Sequence, residues 1–594
     1  MNRLRALLLA ASIAAPLAPL LAEDPTVVRS GEMMKAPSSS ALSYGERTHY
    51  REVFAAIREG QWAQAHARLD SMAPGPLHNA ARAEIYLAKD SPRVELEQIV
   101  PLLAAAPEMP QAAKLARLAE TRGAYQLPPI PQPQNLSWAG SQPRRERARS
   151  VKGDPIAASL EPQIQPLIKE NQPAAAEVLL IGSEFALSPE ARTEFQQRIA
   201  WSHYLIGNDA AARQLALKAA RSGSGEWALH AEWVAGLASW RMGDCNAASQ
   251  SFATVAARTG DPELVAAGHY WAARADMKCG RPQGVQPRLQ NAARVKETFY
   301  GLLAASALGI KSPTFSGLHD YRDAEWRPIA HKPNVRAALA LVEIGEHGLA
   351  EEFVRHQARI GGAADHDKLL HLADDLNLAG TQFWLAHNAP RGASVNPSAR
   401  YPKPDWQPSR GWRVDPSLVF AHALQESNFR TAVVSPAGAT GLMQVRPGTA
   451  GDIARKRAEH FSPEQLTQPS SNMEYGQSYL EYLRDHSGTG GLLPKVIAAY
   501  NAGPAPISEW NYRNMDRGDP LLYIESIPYW ETRGYVPIVL RNYWIYEEKS
   551  KKPSSSREAL AQGMWPRFPG MAGARALRME QRSPQAAVSA YGGD

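Results

Sequence analysis

From about residue 45 to 390, apolar residues recur at helical spacing in short stretches separated by Gly- or Pro-marked turns, with no sustained two-residue alternation. The pattern predicts one short amphipathic helix after another, rich in Ala, Leu and Arg. A phrase recurs at the turns: Ile57-Arg-Glu-Gly60-Gln-Trp62, Tyr204-Leu-Ile-Gly207-Asn, Trp240-Arg-Met-Gly243-Asp and Met277-Lys-Cys-Gly280-Arg. In each, a large residue closes one helix and Gly supplies a left-handed cap. The glycines at 207, 243 and 280 stand 36 and 37 residues apart, near the period of helix-turn-helix repeats. An α-solenoid of degenerate repeats is the expected architecture.

The helical pattern breaks at Arg391-Gly-Ala-Ser-Val-Asn-Pro397 and at Tyr401-Pro402-Lys-Pro404-Asp-Trp-Gln-Pro408, which cannot continue a helix. A second, compact domain is expected beyond it. The expected division is a signal peptide at 1–22, a superhelical domain at 23–330, a helical linker at 331–405, a catalytic domain at 406–550 and a disordered tail at 551–594. The tail is expected to be disordered because periodicity is lost in a Gly/Pro/Arg/Ala-rich sequence.

The N-terminus changes the picture of where the chain works. Arg3 and Arg5 precede an uncharged run from Ala6 to Ala22, followed by Glu23-Asp24-Pro25, as in a secretory signal peptide. Pro16 and Pro19 interrupt the run, which falls short of the roughly 20 apolar residues of a spanning helix. An exported, periplasmic protein with no membrane span is expected. The two cysteines, Cys245 and Cys279, form either one disulfide or two buried thiols, and the sequence leaves both readings open. No His/Cys cluster has metal-ligand spacing, and no cofactor, nucleotide or nucleic-acid motif is found. The net charge of +6 suits an anionic polymer without selecting one.

Candidate chemistry lies in four segments of the second domain. The first is Asp415-Pro416-Ser-Leu-Val-Phe-Ala-His-Ala-Leu-Gln-Glu426-Ser427, with Asp415 as N-cap and Pro416 as first helical residue. Val419, Ala423 and Glu426 share one face, which sets a carboxyl group at the end of an apolar stripe. Desolvation there raises its pKa, as a general acid requires. Taken alone, this Glu reads more readily as a solvated helix end. The second segment, Ser435-Pro-Ala-Gly438-Ala-Thr-Gly441-Leu442-Met443-Gln444, is rich in turns, and Gln444 offers an amide to sugar hydroxyl or acetamido groups; an ordinary loop over a buried Leu-Met pair is the alternative. In the third, Leu493, Val496, Ile497 and Tyr500 form a buried stripe, and Ala499-Tyr500-Asn501-Ala-Gly503 ends the helix. The Tyr500 hydroxyl needs a partner: a substrate, a catalytic carboxylate, or the core itself. In the fourth, Glu525 is the expected second carboxylate, while Glu531 reads as easily as a first-turn helix acid near Arg533.

Together these segments resemble the catalytic domain of the family 1 soluble lytic transglycosylases. That family's blocks Glu-Ser, Gly-Leu-Met-Gln and Ala-Tyr-Asn-Ala-Gly stand here in order as Glu426-Ser427, Gly441-Leu442-Met443-Gln444 and Ala499 to Gly503. Glu525 to Tyr535 resembles its Ile-Pro-aromatic-Glu-Thr-Arg block, and Glu297 to Gly309 a segment near the end of its superhelix. The resemblance implies an all-α chain, a superhelix followed by a lysozyme-like domain. It implies cleavage of the β-1,4 bond between N-acetylmuramic acid and N-acetylglucosamine of peptidoglycan to 1,6-anhydro products without water, the reaction of a carbon-oxygen lyase. Glu426 would be acid and then base; Ser435, Gly441 to Gln444, Ala499, Tyr500 and Asn501 would position the sugar, and Glu525 would assist. Peptidoglycan strands are the expected partner, with other cell-wall enzymes on the solenoid.

Two rivals remain on the sequence alone. One is hydrolysis, as in goose-type lysozyme, with a second carboxylate activating water. The other is a non-catalytic wall-binding scaffold whose function lies in the solenoid.

Overall fold

The computed structural model describes residues 40–223, 225–310, 325–513 and 516–579. The expected signal peptide at 1–22 lies outside them. Helices dominate, and the strands among the described residues are two-residue ladders, Ser137–Trp138 against Asn388–Ala389 and Trp565–Pro566 against Ala576–Leu577.

The glycine-marked turns form as their chemistry predicts. Gly60, Gly207, Gly243 and Gly280 all have positive φ, between 66° and 83°. In each turn the N–H of the next residue reaches back to the carbonyl five positions earlier: Gln61 to Ala56, Asn208 to His203, Asp244 to Ser239, Arg281 to Asp276. This closing bond satisfies a carbonyl the helix would otherwise leave open. Helices then pack in sequence from Asp209–Ser222 through Gly225–Arg241, Cys245–Arg258 and Pro262–Lys278. Their approach is close, because a Cβ on Gly268 would stand 2.7 Å from the Phe252 carbonyl. Cys245 and Cys279 are joined as a disulfide across the last two of these helices.

The buried core groups these elements differently from the expected division at 330 and 405. One apolar cluster unites Leu42 to Ala119 with Trp326 to Ala399, and the other unites Ala157 to Ala304 with Tyr401 to Phe568. The helices expected as a linker therefore close onto the first helices of the chain. Arg51 donates to the Glu343 carbonyl at 2.9 Å and Ser40 to the Glu343 carboxylate at 3.0 Å.

The later helical array carries the C-terminal domain through polar ties as well as apolar packing. Arg145 pairs with Glu525 at 2.7 Å, Arg274 with Asp519 at 2.7 Å, Arg517 with Asp209 at 3.2 Å and Arg541 with Glu263 at 3.4 Å. The hydroxyls of Tyr204 and Ser526 bond at 2.8 Å. Removing one partner of such a buried pair costs about 3–5 kcal/mol, because the other charge is left uncompensated.

The expectation of disorder from 551 is corrected for residues 551–579. Ser555–Ala561 is a helix, and Trp565 is fully buried, donating from its indole to the Gly518 carbonyl at 2.8 Å. Low sequence periodicity misleads here because the segment is held by individual anchors. Trp544 donates to Ser556 at 2.9 Å, Phe568 N–H to the Gly491 carbonyl at 2.8 Å, and Lys495 lies 4.9 Å over the Trp565 ring. Trp565→Ala should lower the stability of the C-terminal domain by about 3–5 kcal/mol in denaturant unfolding; a variant indistinguishable from wild type would show that the segment is not part of the core.

Candidate active site

The helix Pro416–Ser427 begins where the sequence says it should, with the Asp415 carboxylate accepting from Ser417 N–H at 2.8 Å. Leu418, Val419 and Ala423 are buried along one face. The helix stops because Asn428 and Phe429 both turn left-handed, at φ 53° and 62°. Glu426 therefore sits in the last turn, at the end of the apolar stripe and beside the negative end of the helix. Its neighbour Ser427 is buried and donates back to the Ala423 carbonyl at 3.1 Å, so this serine belongs to the helix end.

Two side chains linked in series lead to the carboxyl. Tyr535, from the helix Trp530–Lys549, donates to Oε1 of Glu426 at 2.6 Å. Behind it, Nδ1 of His422 lies 2.8 Å from the same hydroxyl. Oε2 of Glu426 has no hydrogen bond to any described residue. Burial pushes the Glu426 carboxyl up to about 7, against the Tyr535 hydrogen bond, which stabilises the carboxylate, and together with the negative charge of Glu531. Burial pushes His422 down to about 3, so its imidazole is neutral.

The Gly441–Gln444 turn forms a second wall. Gly441 has φ 77°, and a Cβ there would lie 2.1 Å from the Leu466 carbonyl and 2.3 Å from the Asn472 amide nitrogen. That amide donates to the Thr440 and Leu466 carbonyls at 2.8 Å each and accepts from Met443 N–H at 2.8 Å. Leu442 and Met443 are buried beneath the turn. The Gln444 amide donates to the Val433 and Gly441 carbonyls at 3.1 and 2.9 Å, and Ser435 Oγ accepts from Ala439 N–H at 3.0 Å. Both side chains thus brace the loop from within.

Leu493–Ala502 supplies the third wall. Ala499 is buried, and the Tyr500 hydroxyl donates to the Met443 carbonyl at 2.8 Å. Of the three partners open to Tyr500, the core is the one it takes, and it ties this helix to the turn. Its ring packs on His422 at 4.5 Å and on Tyr479 at 5.4 Å. Tyr479 in turn stacks on Tyr482 at 6.0 Å along a groove that also includes Thr449, Asp452 and Lys456. Asn501 donates to Glu531 at 3.3 Å and accepts from Thr532 at 2.6 Å.

The second carboxylate is not where the sequence places it. Glu525 is buried, with both oxygens engaged by Arg145 at 2.7 and 3.1 Å and one also by the Tyr300 hydroxyl at 2.7 Å. It anchors the domain on the helical array, and the carboxylate that acts electrostatically on Glu426 is the exposed Glu531. The sequence reading also missed His422, Tyr535 and Thr532. Two of them were detectable by helical spacing, since His422 precedes Glu426 by four residues and Tyr535 follows Glu531 by four.

With this geometry in place, comparisons with known proteins are specific. The model of a family described as Transglycosylase SLT domain matches residues 407–522. The soluble lytic murein transglycosylase of Escherichia coli K12 is 41% identical over 132 residues, 22% of this chain and 20% of that protein. Its counterpart in Salmonella typhimurium is 37% identical over 154 residues, 26% of this chain and 23% of that one. These matches span less than a quarter of either relative. The crystal structure of the 70 kDa soluble lytic transglycosylase from Escherichia coli superposes with a TM-score of 0.54 at 18% identity, covering 88% of this chain and 99% of that one, a likeness of fold. The chain therefore carries a transglycosylase SLT domain at residues 407–522 and has, over most of its length, the fold of the soluble lytic transglycosylases.

Proposed function

We propose that this protein is a peptidoglycan lytic transglycosylase that cleaves the β-1,4 bond between N-acetylmuramic acid and N-acetylglucosamine, with Glu426 as acid and then as base. The observation that carries the reading is one half-buried carboxyl raised to about 7, tied on one oxygen and open on the other. A group with that pKa is available in both protonation states near neutrality, as an acid that must later act as base requires.

In the first step the Glu426 proton passes to the glycosidic oxygen as the C1–O bond breaks, and the muramoyl acetamido group shares the developing positive charge. In the second, the Glu426 carboxylate takes the proton of the C6 hydroxyl as O6 bonds to C1. The enzyme ends as it began and no water is consumed. A hydroxyl on the same sugar has a high effective concentration at C1, which lets it compete with solvent. Ser435, Gln444 and Asn501 line the approach, and Tyr479 and Tyr482 offer aromatic faces to flanking sugars. Export through the apolar leader at 1–22 would bring the enzyme to its substrate. No helix among the described residues is long and apolar enough to cross a membrane.

Glu426→Gln should reduce release of soluble fragments from purified sacculi by about 10²–10⁴-fold, and mass spectrometry of wild-type products should show anhydro ends. Products one water heavier, with reducing muramoyl ends, would replace this reading with hydrolysis.

The acid form starts the reaction, so kcat/KM should fall as pH rises through about 7. Glu531→Gln removes a negative charge that disfavours the carboxylate, so the alkaline limb should move to lower pH; Tyr535→Phe removes a donor that favours it, so the limb should move up. A limb unmoved by both substitutions would show that Glu426 does not set it.

A further inference from the structure

We infer that His422 is a positioning residue that locks the Tyr535 hydroxyl toward Oε1 of Glu426 and so confines the catalytic proton to Oε2. The inference rests on the function proposed above and adds a residue to its machinery.

His422, Tyr535 and Glu426 form a hydrogen-bonded series in which each proton can be placed. The Tyr535 hydroxyl has one proton, and a carboxylate can only accept, so the 2.6 Å bond to Oε1 uses that proton. The Tyr535 oxygen must then accept from His422 across the 2.8 Å contact, which requires the neutral imidazole to carry its proton on Nδ1. Nε2 of His422 is fully enclosed and has no hydrogen-bond partner among the described residues. Placing the proton on Nε2 would bury an unsatisfied N–H and leave Nδ1 and Tyr535 to rearrange, whereas the Nδ1–H form leaves only an unfilled lone pair there. With Nε2 enclosed and unpaired among the described residues, the Nδ1–H tautomer is the one that leaves no buried N–H unsatisfied.

That fixed tautomer has a consequence when Glu426 takes up its proton. Were the proton on Oε1, it would face the Tyr535 hydroxyl, which would have to turn its own proton toward His422 Nδ1, already occupied. The proton is therefore held on Oε2, the oxygen without a protein partner, where a glycosidic oxygen can receive it. On the return step the C6 hydroxyl proton comes back to Oε2, and the tyrosine and histidine protons stay in place throughout.

The same chain should tune the carboxyl, because a hydrogen bond received by the Tyr535 oxygen strengthens the one its hydroxyl gives. The titratable groups facing Glu426 are Tyr535 and Glu531 from the Trp530–Lys549 helix, Tyr500 from Leu493–Ala502, and His422 from its own helix. Of these, His422 is the one whose effect must pass through another side chain, and this makes the proposal separable from simple charge effects.

The test is a cycle of pH–rate profiles on purified sacculi. His422→Phe should raise the alkaline limb by about half a unit to one unit and lower kcat about three- to tenfold with KM unchanged. His422→Asn, whose amide nitrogen can take the place of Nδ1, should restore much of both. In a Tyr535→Phe background, His422→Phe should add no further displacement of the limb. A limb unmoved by His422→Phe, or a displacement that persists without the Tyr535 hydroxyl, would overturn the inference. The wild-type protein provides a second readout that needs neither activity nor a folded variant of position 422: imidazole nitrogen shifts in histidine-labelled protein should show His422 in the Nδ1–H form, and an Nε2–H form would overturn the proposal. Absence of anhydro products would instead sink the transglycosylase reading and leave the tautomer result standing.

Discussion

One hydrogen bond organises this molecule, the 2.6 Å contact through which Tyr535 holds the carboxyl of Glu426 at the dry end of a helix. A carboxyl raised to about 7 by burial is costly to a fold. Its proton is retained through the window from its ordinary value to the raised one, while the unfolded chain has already released its own, so stability falls as pH rises through that window. The protein tolerates this because the surrounding groups are satisfied by the core and not by the carboxyl. Tyr500 is taken by Met443, Asn472 by the Gly441 turn, and Gln444 by the Val433 and Gly441 carbonyls. Oε2 of Glu426 is left without a hydrogen bond to any described residue.

The helical array contributes to the site by fixing the helix that bears Tyr535. Arg541, six residues beyond Tyr535, reaches Glu263 of the array, and the Arg145–Glu525 pair lies just before that helix begins. Arg533, between them, stacks 4.1 Å over Trp201 and donates to the Ile527 carbonyl at 3.1 Å. These contacts hold the helix that bears Tyr535 against the array. Glu525, read from sequence as a helper in the chemistry, is instead the anchor of the segment leading into the Tyr535 helix.

The sequence revealed the helices, the glycine-closed turns and the three blocks around Glu426, because each rests on local rules: a cap, a period or a left-handed residue. It did not reveal which helices share a core, since Leu42 to Ala119 and Trp326 to Ala399 meet only through tertiary packing. Nor did it separate the roles of Glu525 and Glu531. Both stand in one block, and only the Arg145 and Tyr300 contacts, from residues more than 200 positions away, distinguish an anchor from a neighbour of the site. His422 and Tyr535 were visible as residues of the right periodicity, but the bonds that join them to each other and to Glu426 are tertiary contacts between two helices. The tail read as disordered because single anchors such as Trp565 leave no periodic trace.

The central claim is that the fold itself, before any substrate binds, holds Glu426 protonated near neutrality. Infrared difference titration of the wild type against Glu426→Gln isolates the protonated-carboxyl band of this one side chain. A band that disappears with a midpoint near pH 7 is the result expected from its burial and its contacts with Tyr535 and Glu531. A midpoint near 4.5, the ordinary value for glutamate, would contradict the account.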